Sequence, residues 1–285
     1  MMETNVLELS LQDLIMVTKP YNILEDIKTD EEGNVIASVK NEYLMKQESG
    51  PMQCSEFGRH AAILGSMLLA KNNTRQEKHY YLAIKADLTR NHLEVYENEE
   101  FTIKVSPISQ TKRAGSVYGE LFDSNDNVLF TAEVGYMVLN RTTFQRLNAN
   151  NKIENILSQE ISPYKVRKRL RNVFVDENKI SATYGVVNSS ECEGHFENYP
   201  CLPVAIVGGL FGDLAVNLLE HVTGCHQMID KSAVINAKRL AFAGEFVHFE
   251  GKLLEQKEDN TIVMFAQAFV GDEVIADVTT EVVGV

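Results

Sequence analysis

Gly194-His195-Phe196-Glu197-Asn198-Tyr199-Pro200-Cys201-Leu202-Pro203 runs without a break into an apolar segment, residues 204–222, VAIVGGLFGDLAVNLLEHV. Pro203 has its φ fixed near the helical value and lacks the N–H that a first helical turn leaves unpaired, so it suits a helix start. The segment is apolar on nearly every side, with Asp213, Asn217 and Glu220 as its main polar stripe. A helix of that kind is mostly buried. Gly208, Gly209 and Gly212 each cost roughly 1 kcal/mol against Ala, so they are expected where the helix packs closely on a sheet. His195 then stands at the mouth of whatever the helix lines.

Working outward, the chain of 285 residues is long enough for two units of ordinary size, and 44% apolar content supports a core without metals or disulfides. A formal charge of −13 argues against nucleic-acid binding, which needs a basic footprint. Cys54, Cys192, Cys201 and Cys225 form no CxxC pair and have no histidine at zinc-finger spacing. They read as reduced thiols, and no metal or cofactor is implied. The N-terminus is acidic and lacks the long apolar core of a signal peptide. The 204–222 segment comes nearest to a membrane span but carries Asp213 and Glu220. A cytoplasmic protein without a membrane segment is expected.

Taken in order, the first 33 residues begin with a short amphipathic stretch and end in a turn at Asp30–Asn34, before a strand at 35–42. A loop with Gly50 and Pro51 leads to Glu56-Phe57-Gly58-Arg59-His60 and a second buried helix, residues 61–70, with Ser55 as its expected N-cap. Four strands follow between residues 80 and 140, the last two joined by a turn at 123–127. Residues 141–170 are polar and charged and read as a partly helical connector. The same order then returns: a strand at 178–187, the His195 stretch, the 204–222 helix and four more strands.

The halves also match residue by residue. Asn34–Ser38 answers Lys179–Thr183, and Glu100-Phe101 answers Glu245-Phe246, both 145 apart; Ala62-Ile63-Leu64-Gly65 answers Ala205-Ile206-Val207-Gly208, 143 apart. This indicates an internal duplication. The expected division is residues 1–145, a connector at 146–172, and residues 173–285. Each copy is a long helix on an antiparallel sheet, an α+β layout.

A long helix wrapped by an antiparallel sheet, duplicated in one chain, resembles the double hotdog. GHFENYPCLPVAIVGG is similar to the active-site motif G-H-F-x-x-x-P-x-x-P-G of β-hydroxyacyl-[acyl carrier protein] dehydratases, with His195, Phe196, Pro200 and Pro203 in register. Two departures stand out. Val204 replaces the family's glycine, and Gly209 occupies the place, fourteen residues after the histidine, where the family has its acid. Asp213 lies one turn further on. In the family, the site lies between two hotdog units, with the acid on the partner's helix, and a spacing of 143 puts Ser66 opposite His195.

The resemblance implies an acyl-thioester enzyme, first a β-hydroxyacyl-thioester dehydratase, a lyase of fatty-acid or polyketide type. The alternatives are an acyl thioesterase on the same fold, or a degenerate hotdog that binds acyl chains or a partner enzyme. The expected catalytic residues are His195, Asp213 and Ser66. Phe196, Pro203, Val204, Gly208 and Gly209 are expected around the substrate. His195 is the proton acceptor, and the N–H groups of Val204 and Ala205 at a helix start can hold a thioester oxygen. Glu56 and His60, spaced i, i+4, are candidates for a second site through a carboxylate–imidazole pair. The substrate is expected on an acyl carrier protein or coenzyme A. The basic run Lys165–Arg171 is the candidate docking face for an acidic carrier, and a homo-oligomer is allowed.

Overall fold

The structure is a computed structural model that describes residues 10–42, 45–74, 77–93, 100–154 and 161–285. The amphipathic stretch expected at the start of the chain lies largely outside these, as do residues 155–160 of the expected connector.

In chain order the elements are β1 (Glu25–Thr29), β2 (Val35–Lys40), α1 (Cys54–Lys71), β3 (His79–Arg90), β4 (Glu100–Gln110), β5 (Ala114–Phe122), β6 (Val128–Asn140) and α2 (Arg141–Leu147). There follow β7 (Arg171–Asp176), β8 (Lys179–Val186), β9 (Cys201–Leu202), α3 (Val204–Thr223), β10 (Met228–Ala237), β11 (Ala241–Phe242), β12 (Phe246–Gln256), β13 (Thr261–Val270) and β14 (Glu273–Gly284). Twelve strands make one antiparallel sheet in the order β1-β2-β4-β5-β6-β3-β10-β14-β13-β12-β8-β7. The order reads the same from either edge once the second half is matched to the first. The halves join where β3 pairs with β10, through Ser232 opposite Thr89 to Asn236 opposite Lys85.

The alternation that marked the strands is the burial pattern itself. β5 runs buried and half-buried in turn, and Val117 and Leu121 are closed off beneath α1. The two outermost strands, β1 and β7, carried no such signal. Both are edge strands with nearly every residue exposed, so neither needs an apolar face. The sequence reading missed both. The last residue of the basic run, Arg171, is the first of β7, and α2 spans the expected boundary at 145/146.

α1 begins at Cys54, seven residues before the expected helix, and Gln53 rather than Ser55 is its N-cap residue. The Cys54 N–H donates to Glu48 Oε1 at 2.8 Å, so a carboxylate from outside the helix does the capping. Ser55 sits in the first turn instead.

α3 is long and apolar enough to cross a membrane, the only such helix among the described residues. Here its apolar faces lie on the sheet and on α1, with Leu210, Leu214 and Leu218 fully buried.

The helices fix how the halves correspond. Gly58 on α1 rests on Leu88 of β3, and Gly208 on α3 rests on Ile235 of β10. Leu88 pairs with Ala132 of β6, and Ile235 pairs with Val278 of β14, at matching places in the two ladders. The helix starts, Cys54 and Val204, are likewise 150 residues apart. The helix spacing is therefore 150 and not 143. Seven residues are two turns to within about 20°, so a slip of seven keeps the same apolar face, and the sequence pattern cannot distinguish the two. One consequence reaches the chemistry: the place matching Gly209 belongs to Arg59, not Ser66.

Candidate active site

His195 is held by backbone contacts on both sides. A short 3₁₀ turn, Ser189–Cys192, precedes it, with the Ser190 N–H capped by the Asn188 side chain at 3.2 Å. The His195 N–H donates to Cys192 O at 3.0 Å. Gly194 has φ 78°, and a Cβ there would lie 2.5 Å from Thr18 O and 2.9 Å from the Lys19 carbonyl carbon. Only glycine lets the N-terminal segment approach that closely, and the Thr18 N–H donates to Gly194 O at 2.8 Å. Phe196 and Asn198 both adopt φ 62°, a conformation unfavourable for side chains other than glycine, which marks the loop as strained.

The motif's phenylalanine anchors this loop. Phe196 wedges against Tyr80 and Phe144 at 5.1 and 5.5 Å between ring centroids, and its face stacks on the His195 ring at 4.1 Å. Tyr21 meets the imidazole edge-on at 5.0 Å. His195 Nδ1 lies 3.1 Å from Cys201 O. A carbonyl only accepts, so Nδ1 carries the hydrogen and Nε2 is the lone-pair nitrogen. Burial pushes the imidazole down to about 4, so it is neutral across the physiological range.

The imidazole lines a cavity of about 510 Å³ that runs between α1, α3 and strands β3 and β10. Its walls are mostly apolar. Ser66, Phe196, Val204 and Gly208 line it too, so the structure gathers five of the expected residues around one space. Ser66 is reached from α1, but its hydroxyl donates to Ile63 O at 2.7 Å and keeps only its acceptor side free. Pro203 is the N-cap residue of α3, whose first turn (Val204, Ala205) borders the cavity.

A second, small cavity of about 20 Å³, the size of one water, adjoins the first. Ser55 and Ala205 line both. Its wall also holds Gln53, Glu56, Arg59, Arg167 and the expected substrate residue Gly209. Glu56 Oε1 accepts the Glu42 N–H at 2.8 Å, Oε2 is buried without a partner among the described residues, and burial pushes the carboxyl up to about 7. The expected Glu56–His60 pair does not form a hydrogen bond. His60 Nε2 is 3.8 Å from Glu56 Oε1, both ring nitrogens are buried and unpartnered, and burial together with Arg59 keeps the ring neutral. His60 borders neither cavity.

Asp213 does not face His195. Its Oδ1 takes Arg169 Nη1 at 2.6 Å and its Oδ2 takes the Leu170 N–H at 2.9 Å, and it lines neither cavity. The carboxylate pins the incoming chain to α3. In the place matching Gly209, Arg59 is buried against Glu42, with its guanidinium 5.4 Å over the Tyr21 ring. Two carboxylates do border the large cavity, Glu245 and Glu273, and both are paired with Arg239. Among the described residues no group of three His, Cys, Asp or Glu side chains is placed to hold a metal.

Sequence reasoning passed over Arg59 and Tyr21. Arg59 stood just ahead of the helix expected at 61–70, and only the earlier start of α1 at Cys54 brings it inside the buried helix. Tyr21 lies far from His195 in the chain and had no signal.

In the other half, the segment before α1 is closed by charge. Arg90 donates to Ser49 O at 2.6 Å and pairs with Glu48 at 3.3 Å, and Asp230 lies buried in the same cluster.

No family model and no curated protein matches the chain. Solved structures do. A 12:0-ACP thioesterase from Umbellularia californica superposes with a TM-score of 0.56 at 8% identity, over 88% of this chain and 94% of that one. An acyl-CoA thioesterase II from Mycobacterium marinum gives 0.52 at 11% identity, over 91% and 96%. A conserved hot dog fold protein from Alicyclobacillus acidocaldarius gives 0.50 at 12%, over 94% and 99%. The fold is a double hotdog. Identities this low establish the shared fold and leave the chemistry to the site. In this double hotdog the large cavity brings His195 of the second half together with α1 of the first.

Proposed function

We propose that this double hotdog hydrolyses acyl thioesters, with the acyl chain in the large cavity and His195 as the base. The observation that carries the reading is a neutral His195, its Nε2 without a hydrogen, lining a large cavity whose own carboxylates, Glu245 and Glu273, are both paired with Arg239. Dehydration of a β-hydroxyacyl chain needs a proton donor for the departing hydroxyl. Asp213 is engaged by Arg169, the family's acid position is filled by Arg59, and Glu56, the one carboxyl pushed up to about 7, borders the small cavity and not the large one. Hydrolysis needs only a base, a water and donors for the carbonyl oxygen.

In that reaction water oxygen attacks the thioester carbon while Nε2 takes its proton. The oxygen of the tetrahedral intermediate is held by first-turn N–H groups of α3. The C–S bond then breaks, and the leaving thiolate takes the proton back from the imidazolium. The small cavity, one water in size and sharing Ser55 and Ala205 with the wall of the large one, supports a position for the attacking water. Arg167 and Lys168 border that small cavity, so the basic run lies at the thioester end, where an acidic carrier protein would meet it. Lys168 and Arg169 are partly engaged already by Glu191 and Asp213.

The test is to incubate the protein with saturated acyl-coenzyme A and with β-hydroxyacyl-coenzyme A. Free thiol from both supports hydrolysis. Enoyl product without free thiol would replace this reading with the dehydratase.

A further inference from the structure

Tyr21 reaches the cavity from the N-terminal segment, which is fastened to the catalytic loop. Val17 bridges to His195, the Thr18 N–H donates to Gly194 O at 2.8 Å, and the turn closes with Asn22 N–H on Thr18 O at 3.0 Å. The ring is fixed from three sides: edge-on to His195 at 5.0 Å, edge-on to Tyr164 at 4.9 Å, and beneath the Arg59 guanidinium at 5.4 Å. Tyr164 is itself anchored by donating to Glu193 O at 2.8 Å, and Arg59 is anchored by Glu42. Only 4% of Tyr21 is exposed, yet its hydroxyl makes no hydrogen bond within the protein among the described residues. Tyr136, also on the cavity wall, differs: its hydroxyl is engaged with Ala62 O at 2.9 Å. A rigid phenol beside the base, lining the cavity with its donor free, is placed to serve the ligand.

We propose that Tyr21 donates a hydrogen bond to the thioester carbonyl oxygen, alongside the N–H groups that begin α3, and is a catalytic residue of the reaction. The inference rests on the thioester-hydrolysis reading of this cavity. Burial holds the phenol far above its ordinary range, so the hydroxyl keeps its proton at every working pH and acts as a donor only. The neighbouring guanidinium favours negative charge on the oxygen that Tyr21 contacts. The bond strengthens as the carbonyl becomes an oxyanion, which is where a fixed donor lowers a barrier. No covalent step passes through Tyr21. A tyrosine that only packs the imidazole needs its ring and not its oxygen.

Tyr21→Phe separates the two roles, because it keeps the ring and removes the hydroxyl. With wild type first shown to release thiol from acyl-coenzyme A, the variant is expected to lose about 10²-fold in kcat, the scale of one oxyanion donor, with KM little changed. The acid limb of its pH profile is expected to stay where wild type has it. A second measurement uses two unreactive coenzyme A analogues. One carries a trifluoromethyl ketone that forms a hydrate or alkoxide, the other a plain thioether. Tyr21→Phe should weaken binding of the ketone and leave the thioether unchanged. Wild-type kcat in Tyr21→Phe, a shifted acid limb with full kcat at its optimum, or equal weakening of both analogues would overturn the role. If wild type released no thiol at all, the hydrolysis reading would fail before the variant was reached.

Discussion

Asp213 on α3 and Arg169 on the chain leading into β7 meet at 2.6 Å, with Asp213 almost wholly buried and Arg169 partly open to solvent. The pair, with the Leu170 N–H on the other carboxylate oxygen, ties the start of the second half to its central helix. It also removes the one helix acid that the sequence offered to His195. Asp213→Asn keeps an acceptor for Leu170 but drops the charge. Thermal stability should fall by about 1–3 kcal/mol, as for a charge-assisted buried bond, while turnover per folded molecule stays near wild type. Loss of turnover with unchanged stability would return Asp213 to the mechanism.

His195→Ala should lower thioester turnover by about 10²–10⁴, the usual scale for a general base, with the circular dichroism spectrum unchanged. Activity within about twofold of wild type would remove His195 from the reaction and pass the role of base to another group.

The pH profile tells apart the two groups that could take the proton from water. His195 is pushed down to about 4, so it is already basic above that pH, and activity carried by it should fall only as pH drops through about 4. Glu56 is pushed up to about 7, and activity carried by it should fall as pH drops through about 7. We expect the lower limb in wild type, and the same limb in Glu56→Gln. A limb near 7 that Glu56→Gln abolishes would move the base to Glu56.

Asp230 is pushed up to about 8 by burial and by the nearby Glu48, against the pull of Arg90. An unfolded aspartate titrates near 3.9, so the folded state holds the proton more tightly between the two values. That contribution to stability is complete below about pH 4 and is lost as pH rises through about 8. Asp230→Asn keeps the oxygen that accepts from Thr280 at 3.1 Å and cannot ionise. Melting temperature measured from pH 5 to pH 9 should therefore decline less steeply in Asp230→Asn than in wild type. Parallel curves would refute the linkage.

Gly65 of α1 faces Val117 of β5 and Tyr136 of β6. A Cβ there would sit 2.7 Å from Val117 Cγ2 and 3.2 Å from the Tyr136 ring. Gly65→Ala should destabilise by about 1–3 kcal/mol through overpacking, despite alanine's better helix propensity. Urea denaturation would show this as a lower midpoint, and an unchanged midpoint would mean that the sheet yields.

By itself the sequence determined the duplicated α+β layout, both buried helices, ten long strands and the loop that carries His195 to the start of α3. Each of these is written in local pattern: alternation in β5, an all-round apolar run in α3, prolines and glycine around His195. The exposed edge strands β1 and β7 were illegible because they bury no face and so leave no alternation. The helix register was illegible for a subtler reason, since a slip of seven residues preserves the buried stripe, and only the seats of Gly58 on Leu88 and Gly208 on Ile235 choose between the two. Side-chain pairing over long separations also belongs to the tertiary structure alone. It placed Asp213 on Arg169, set Arg59 where an acid was expected, and brought Tyr21 from the N-terminal segment against His195. Such contacts depend on where the folded chain crosses itself, which no local spacing encodes.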